Sequence, residues 1–81
     1  MMLIKPLGGE VSLSSNNNVA NAVLVRVINT GAAALLHFAS NTGTEYANCT
    51  VSNAQYVVVQ KMTTDTLQGT NMLAVPVAFK G

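Results

Sequence analysis

The sequence predicts an all-β fold, a small antiparallel β-sandwich or barrel of jelly-roll type with about six to seven short strands. Apolar residues alternate with a period of two along most of the chain, which is typical of strands. Asn-Thr-Gly occurs twice, at 29–31 and 41–43, and Asn and Gly tolerate the positive φ of tight hairpin turns. No stretch combines helix caps with a long 3.6-residue apolar period, so no helix is predicted.

The strands follow from this alternation in chain order. We expect them at 10–13, 23–29, 32–40, 45–51, 55–62 and 72–79, with loops between them. The stretch 32–36 is the one ambiguous segment, and its position between two hairpin turns favours a strand. Pro76 has no N–H to donate to a neighbouring strand, so we expect it in an edge strand or at a bulge.

The domain organisation is simple because the chain has 81 residues. Residues 10–81 are predicted to form a single β domain. Residues 1–9 differ in composition and contain Pro6 followed by Gly8-Gly9 as a hinge, which suggests an N-terminal arm that grips a neighbouring subunit. The apolar start is too short for a secretory signal, and the longest apolar run is too short to cross a bilayer. We therefore expect a chain that is made in the cytoplasm and does not enter a membrane.

Charge is scarce in this sequence. Four basic and three acidic residues make up 9% of the chain, against about 25% in a typical soluble domain. A nucleic-acid module needs a clustered basic face, so that class is excluded. Such a neutral surface is suited to being covered by neighbours, and we predict a homo-oligomer, with a monomer made soluble by amide and hydroxyl groups as the alternative.

The residues that usually carry chemistry are few and scattered. Cys49 is the single cysteine, and with His37 it is too small a ligand set for zinc within one chain. We expect Cys49 in the core and His37 packed within a strand; the alternatives are a nucleophilic Cys49 beside His37, or a pH-responsive His37 contact. Glu10, Glu45 and Asp65 show no paired-carboxylate spacing. The prediction is therefore a protein that is not an enzyme and has no catalytic residues, cofactor or metal.

Two tyrosines leave a binding role open. Tyr46 and Tyr56 belong to a set of only four aromatic residues, which favours a place in the core or at an interface. The alternative is an aromatic platform for a sugar. That alternative predicts that one of the two tyrosines is exposed beside Asn side chains.

The stretch from Val25 to Gly31 and the tail from Leu73 to Phe79 resemble small virion structural proteins of marine tailed bacteriophages, the cyanophage type in particular. The similarity runs from about Val23 to the C-terminus and includes a Val-rich strand ending in Lys61 and the pair Asp65-Thr66. The resemblance implies a non-enzymatic particle component, such as a capsid decoration protein or a head–tail or tail accessory. It transfers no catalytic residues.

These observations lead to one functional expectation. The chain is expected to be a structural subunit of a phage particle, located in the virion, that stabilises the shell as a capsid decoration (cement) protein. Its expected partners are the major capsid protein or another virion protein and copies of itself; a small carbohydrate- or receptor-binding module or a tail accessory is the alternative. The residues expected at the core or the interface are Met1, Met2, Leu3, Ile4, Pro6, Val57, Val59, Leu73, Val75, Val77 and Phe79.

Overall fold

The computed structural model describes the backbone of residues 3–80 and the side chains of residues 5–78. Within this range the chain forms eight strands and no helix. Their bounds are β1 Leu3–Pro6, β2 Val11–Ser12, β3 Leu24–Asn29, β4 Ala34–Ala39, β5 Glu45–Val51, β6 Tyr56–Gln60, β7 Thr66–Gln68 and β8 Met72–Lys80. The all-β prediction is confirmed, and the ambiguous stretch at 32–36 leads into strand β4.

The strands form two antiparallel sheets. The larger sheet has the order β1-β8-β3-β6, and β2 also pairs with β8. The smaller sheet has the order β5-β4-β7. Side chains from both sheets meet in one core cluster, which is the arrangement of a sandwich.

Alternation assigns the two faces of β3 and β4 correctly. Val25 and Val27 are completely buried, while Arg26 between them is only partly so. In β4, Leu36 is completely buried and its neighbour Leu35 is 44% exposed. The cause is the strand period of two, which sends successive side chains to opposite faces of a sheet.

Strand β8 is apolar on both faces, so alternation does not show which face is the inner one. The register places Ala74 opposite Val27, and both belong to the core cluster. Val75 lies opposite Arg26, so the predicted face carrying Leu73, Val75 and Val77 is the outer face of the larger sheet. Val75 and Val77 are nevertheless buried within the chain.

Pro76 lies in an interior strand, not in an edge strand. It is opposite Val25 of β3, and its carbonyl oxygen accepts a hydrogen bond from Leu7 N at 2.8 Å on the other side. The N and C=O of one strand residue point to the same side. The missing N–H therefore faces the interruption between β1 and β2, and the ladder to β3 loses no hydrogen bond.

The N-terminal segment takes part in the sheet. β1 pairs with the end of β8, from Leu3 opposite Lys80 to Pro6 opposite Val77. The predicted arm at 1–9 thus contains a strand that the alternation did not indicate. Met1 and Met2 lie outside the described residues, and the gripping of a neighbouring subunit stays a prediction.

Candidate functional site

Strand β5 is the most exposed element of the described chain. It pairs with β4, and no strand within residues 3–80 pairs with its other edge. Six of its seven residues are exposed, and only Val51 at its end is buried. It contains no Lys or Pro, two of the residues that usually protect an edge strand from pairing with another chain. β5 is therefore a candidate contact surface.

The side of the sandwich between β5 and β6 is only partly closed. β6 is the terminal strand of the larger sheet, and a short turn at 52–55 joins it to β5. Val57 and Val59 of β6 lie opposite core residues of β3 but are only half-buried. Cys49 of β5 lies opposite the buried Leu36 and is exposed. The prediction that Cys49 is a core residue is wrong, because within residues 3–80 no element covers the inner face at this edge.

The residues at one end of this open side form a groove of about 560 Å³. It lies where β4 ends, β5 begins and the loop after β6 passes. Its lining residues are Ser40, Tyr46, Gln60, Lys61, Met62 and Asp65. These polar and apolar side chains come from segments far apart in sequence, so only the fold brings them together.

A β-bulge places Tyr46 at this groove. The β4–β5 register passes from Phe38 opposite Ala47 to Ala39 opposite Glu45, so Tyr46 is the extra residue on β5. A bulge redirects the side chain of the extra residue. The Tyr46 hydroxyl donates a hydrogen bond to Asp65 Oδ2 at 2.7 Å, and this bond is the main reason that the pKa of Tyr46 is raised.

Lys61 and Asp65 bring opposite charges to the groove. Both residues are buried, and Lys61 Nζ donates to the carbonyl oxygens of Met62 at 3.2 Å and Thr63 at 3.5 Å. Burial lowers the pKa of Lys61, and the nearby Asp65 carboxylate offsets part of that effect. These two hydrogen bonds from the Lys61 ammonium hold the backbone of the loop that follows β6 in place.

His37 and Cys49 do not form a catalytic pair. His37 lies opposite Asn48, one residue out of step with Cys49, so the two side chains lie on opposite faces of the smaller sheet. His37 Nδ1 is 2.8 Å from Glu45 Oε1, and Asn48 Nδ2 donates to Glu45 Oε2 at 3.0 Å. The half-buried His37 therefore belongs to a surface cluster on the outer face.

The residues predicted at the core or the interface lie on both faces of the larger sheet. Val57 and Val59 lie on the inner face of the larger sheet, and Leu73, Val75 and Val77 lie on its outer face. Val75 and Val77 are 7% and 3% exposed, so they offer a partner little area. Pro6 lies in β1, Met1 and Met2 lie outside the described residues, and the side chains of Leu3, Ile4 and Phe79 lie outside the described side chains.

Both tyrosines are exposed, in unrelated places. Tyr46 is 55% exposed at the groove, and Tyr56 is 54% exposed on the outer face of the larger sheet. There the guanidinium carbon of Arg26 lies 4.6 Å from the centre of the Tyr56 ring, a cation–π contact. The groove around Tyr46 was not predicted, because Lys61 and Asp65 show no spacing typical of a binding motif.

Comparison with protein families, curated proteins and solved structures finds no match for this chain. Among the described residues no group of three or more His, Cys, Asp or Glu side chains is placed to hold a metal ion. The described part of the chain also contains no helix of the length and apolarity that crossing a membrane requires. The edge of β5 and the groove beside it are the features on which a functional proposal rests.

Proposed function

We propose that this chain is a non-enzymatic structural subunit of a bacteriophage particle, a capsid decoration (cement) protein that binds the shell and copies of itself. The observation that carries the proposal is β5, a seven-residue edge strand whose exposed residues and free edge lie open to another chain. A strand edge of this kind is a template for pairing with a second strand. The low charge of the chain and its resemblance to small virion proteins support the same role.

The proposed mechanism is mechanical. A protein that binds only the assembled shell stabilises it, and the stabilisation grows with the logarithm of the free protein concentration relative to its Kd. The described chain has an accessible surface of 4,749 Å², so a standard interface of roughly 800 Å² would cover about a sixth of it. A molecule of this size can therefore contact the shell and a neighbouring copy at once.

Charge along β5 favours antiparallel pairing between copies. The strand carries a single charged residue, Glu45, at its first position. In an antiparallel pair about a two-fold axis near Asn48, the two Glu45 side chains lie at opposite ends of the contact. A parallel pair would place the two carboxylates close together, which costs energy. The other side chains of β5, among them those of Asn48 and Thr50, carry no charge that would repel a second copy.

The test uses the purified chain and capsids of a tailed marine bacteriophage. Saturable co-sedimentation with the capsids and a raised temperature of capsid disruption are expected. Thr50→Lys in β5 places a charge on the free edge and should abolish binding, whereas Thr70→Lys, which adds the same charge at an exposed loop position, should leave binding unchanged.

Three outcomes of this experiment are informative. Absence of binding to capsids would contradict the decoration role, and binding to purified tails alone would favour the tail or head–tail accessory role. Equal binding by the Thr50→Lys and Thr70→Lys chains would show that β5 is not the contact surface. Light scattering after size exclusion then reports whether copies associate in the absence of a shell.

A further inference from the structure

We propose that the groove beside β5 binds a neutral saccharide, with the Tyr46 ring as its stacking surface and Asp65, Gln60 and Lys61 as its hydrogen-bonding groups. This role goes beyond the structural one and does not depend on it. The groove volume of about 560 Å³ lies within the range of about 300–1,000 Å³ that small-molecule sites occupy. Its lining joins apolar and polar groups, as the two kinds of surface of a sugar ring require.

The Tyr46 ring is exposed and also held in place. More than half of its surface is open, yet its hydroxyl is bonded to Asp65 and its ring centre lies 6.5 Å from that of Phe38. The face of an aromatic ring carries partial negative charge, which attracts the polarised C–H groups on the flat face of a sugar. A ring that is already oriented loses little conformational entropy on binding.

Hydrogen-bonding groups that are not fully used surround this ring. Asp65 Oδ2 accepts the Tyr46 hydroxyl, while Asp65 Oδ1 accepts no hydrogen bond from the residues that the structure describes. Lys61 Nζ has three N–H donors, and backbone carbonyls take two of them. The exposed Gln60 side chain offers both a donor and an acceptor. Such a mixture of donors and acceptors matches hydroxyl groups, which act as both.

The balance of charge selects a neutral ligand. Lys61 and Asp65 are the charged residues among those that line the groove, and their charges cancel. A charged ligand would be attracted by one of these groups and repelled by the other, so its charge brings no net advantage. A neutral polyhydroxylated molecule meets no such repulsion, and each charged group strengthens the hydrogen bond that it makes.

The experiment is a titration of the full ¹⁵N-labelled chain, followed by NMR, with glucose, galactose, mannose and N-acetylglucosamine, each at millimolar concentrations. At least one sugar should shift the amide signals of Tyr46, Gln60, Lys61 and Asp65 in a saturable way. Tyr46→Ala should weaken that binding at least about tenfold. Tyr56→Ala is the matched control, because Tyr56 is equally exposed but lies on the outer face of the larger sheet, and it should bind as the unmodified chain does.

If the Tyr46→Ala chain does not fold, a second variant that does fold can still test the proposal. Gln60→Ala changes an exposed side chain at the groove and should also weaken the binding. The proposal is overturned if none of the four sugars shifts these amides, or if Tyr56→Ala weakens binding as much as Tyr46→Ala. Inorganic phosphate that shifts the same amides while the sugars do not would show an anion site at Lys61 and would also overturn it.

Discussion

Asn29 Nδ2 donates a hydrogen bond to the carbonyl oxygen of Val51 at 2.8 Å, and this bond joins the end of β3 in the larger sheet to the end of β5 in the smaller one. The same amide group donates to Ala32 O at 2.9 Å, and Asn29 Oδ1 accepts from Gly31 N at 2.8 Å. Asn29 is completely buried. A buried amide whose donors are both used fixes the position of two sheets, because any sliding would leave polar groups unpaired.

Replacing Asn29 by Asp should be strongly destabilising. The new carboxylate places an oxygen where Nδ2 now faces two carbonyl oxygens, and it buries a charge without a partner. We expect a loss of at least about 3 kcal/mol in the free energy of unfolding, measured by urea denaturation. Asn53→Asp makes the same change in an exposed turn and should stay within about 0.5 kcal/mol of the original chain. Similar losses in both variants would show that Asn29 does not join the sheets.

Ala54 occupies a conformation that suits glycine. Its φ is 61° in the exposed turn between β5 and β6. An L-residue in the left-handed region pays a steric cost that glycine avoids, so Ala54→Gly should raise the free energy of unfolding by about 0.5–1 kcal/mol. Ala33→Gly is the control, since Ala33 is exposed and has a negative φ, and it should lose about 0.4–1 kcal/mol. If both variants lost stability, the conclusion that the backbone is strained at Ala54 would be wrong.

Glu45 should make stability depend on pH in the acid range. The hydrogen bond from Asn48, followed by the hydrogen bond and charge of His37, lowers the pKa of Glu45 below its usual 4.5. Its stabilising effect is therefore fully present above pH 4.5 and is lost as the pH falls through the lowered pKa.

The measurement for Glu45 is the melting temperature as a function of pH. Below pH 4.5, the melting temperature of the Glu45→Gln chain should fall less steeply with falling pH than that of the unmodified chain. Glu10→Gln removes an exposed carboxylate that accepts no hydrogen bond from the described side chains, and it serves as the control. If Glu45→Gln and the unmodified chain follow the same curve, the His37–Glu45–Asn48 cluster does not contribute to stability.

The bond between Tyr46 and Asp65 should be visible in the titration of the phenol. The Asp65 carboxylate accepts a hydrogen bond from the neutral Tyr46 hydroxyl and so disfavours the phenolate, which raises the pKa of Tyr46 above its ordinary 10.0. In a Tyr56→Phe chain, where Tyr46 is the one remaining tyrosine, ultraviolet absorbance follows this group alone. Adding Asp65→Asn should move the transition down toward pH 10. An unchanged transition would mean that the hydrogen bond does not form in solution.

Alternation shows which residues of a strand share a face, and only a polar residue on one face indicates which face is the inner one. Arg26 marks the outer face of β3, and Val25 and Val27 are accordingly found in the core. β8 offers apolar residues on both faces, and the register with β3 turned Ala74 inward and Val75 outward. A one-residue change in register would reverse this choice, and register is set by contacts between distant strands.

The groove could be predicted even less. Tyr46 reaches it because a β-bulge interrupts the β4–β5 pairing, and Asp65 reaches it from the loop that follows β6. The exposure of Cys49 has a similar origin, since it depends on how far the larger sheet extends over β5. The polar residues Glu45, Asn48 and Thr50 are a usable signal, because a strand with polar residues on both faces is typical of an edge.

Patterns between near neighbours in the chain indicate the all-β class, the hairpin turn at 41–43 and most strand positions. The predicted hairpin turn at 29–31 is wrong, because the strands that it connects, β3 and β4, lie in different sheets and do not pair. Tertiary structure alone decided that β5 has a free edge, that Asn29 links the two sheets and that Tyr46 meets Asp65. The last two features join segments about twenty residues apart, and local preferences carry no information about which distant groups will meet.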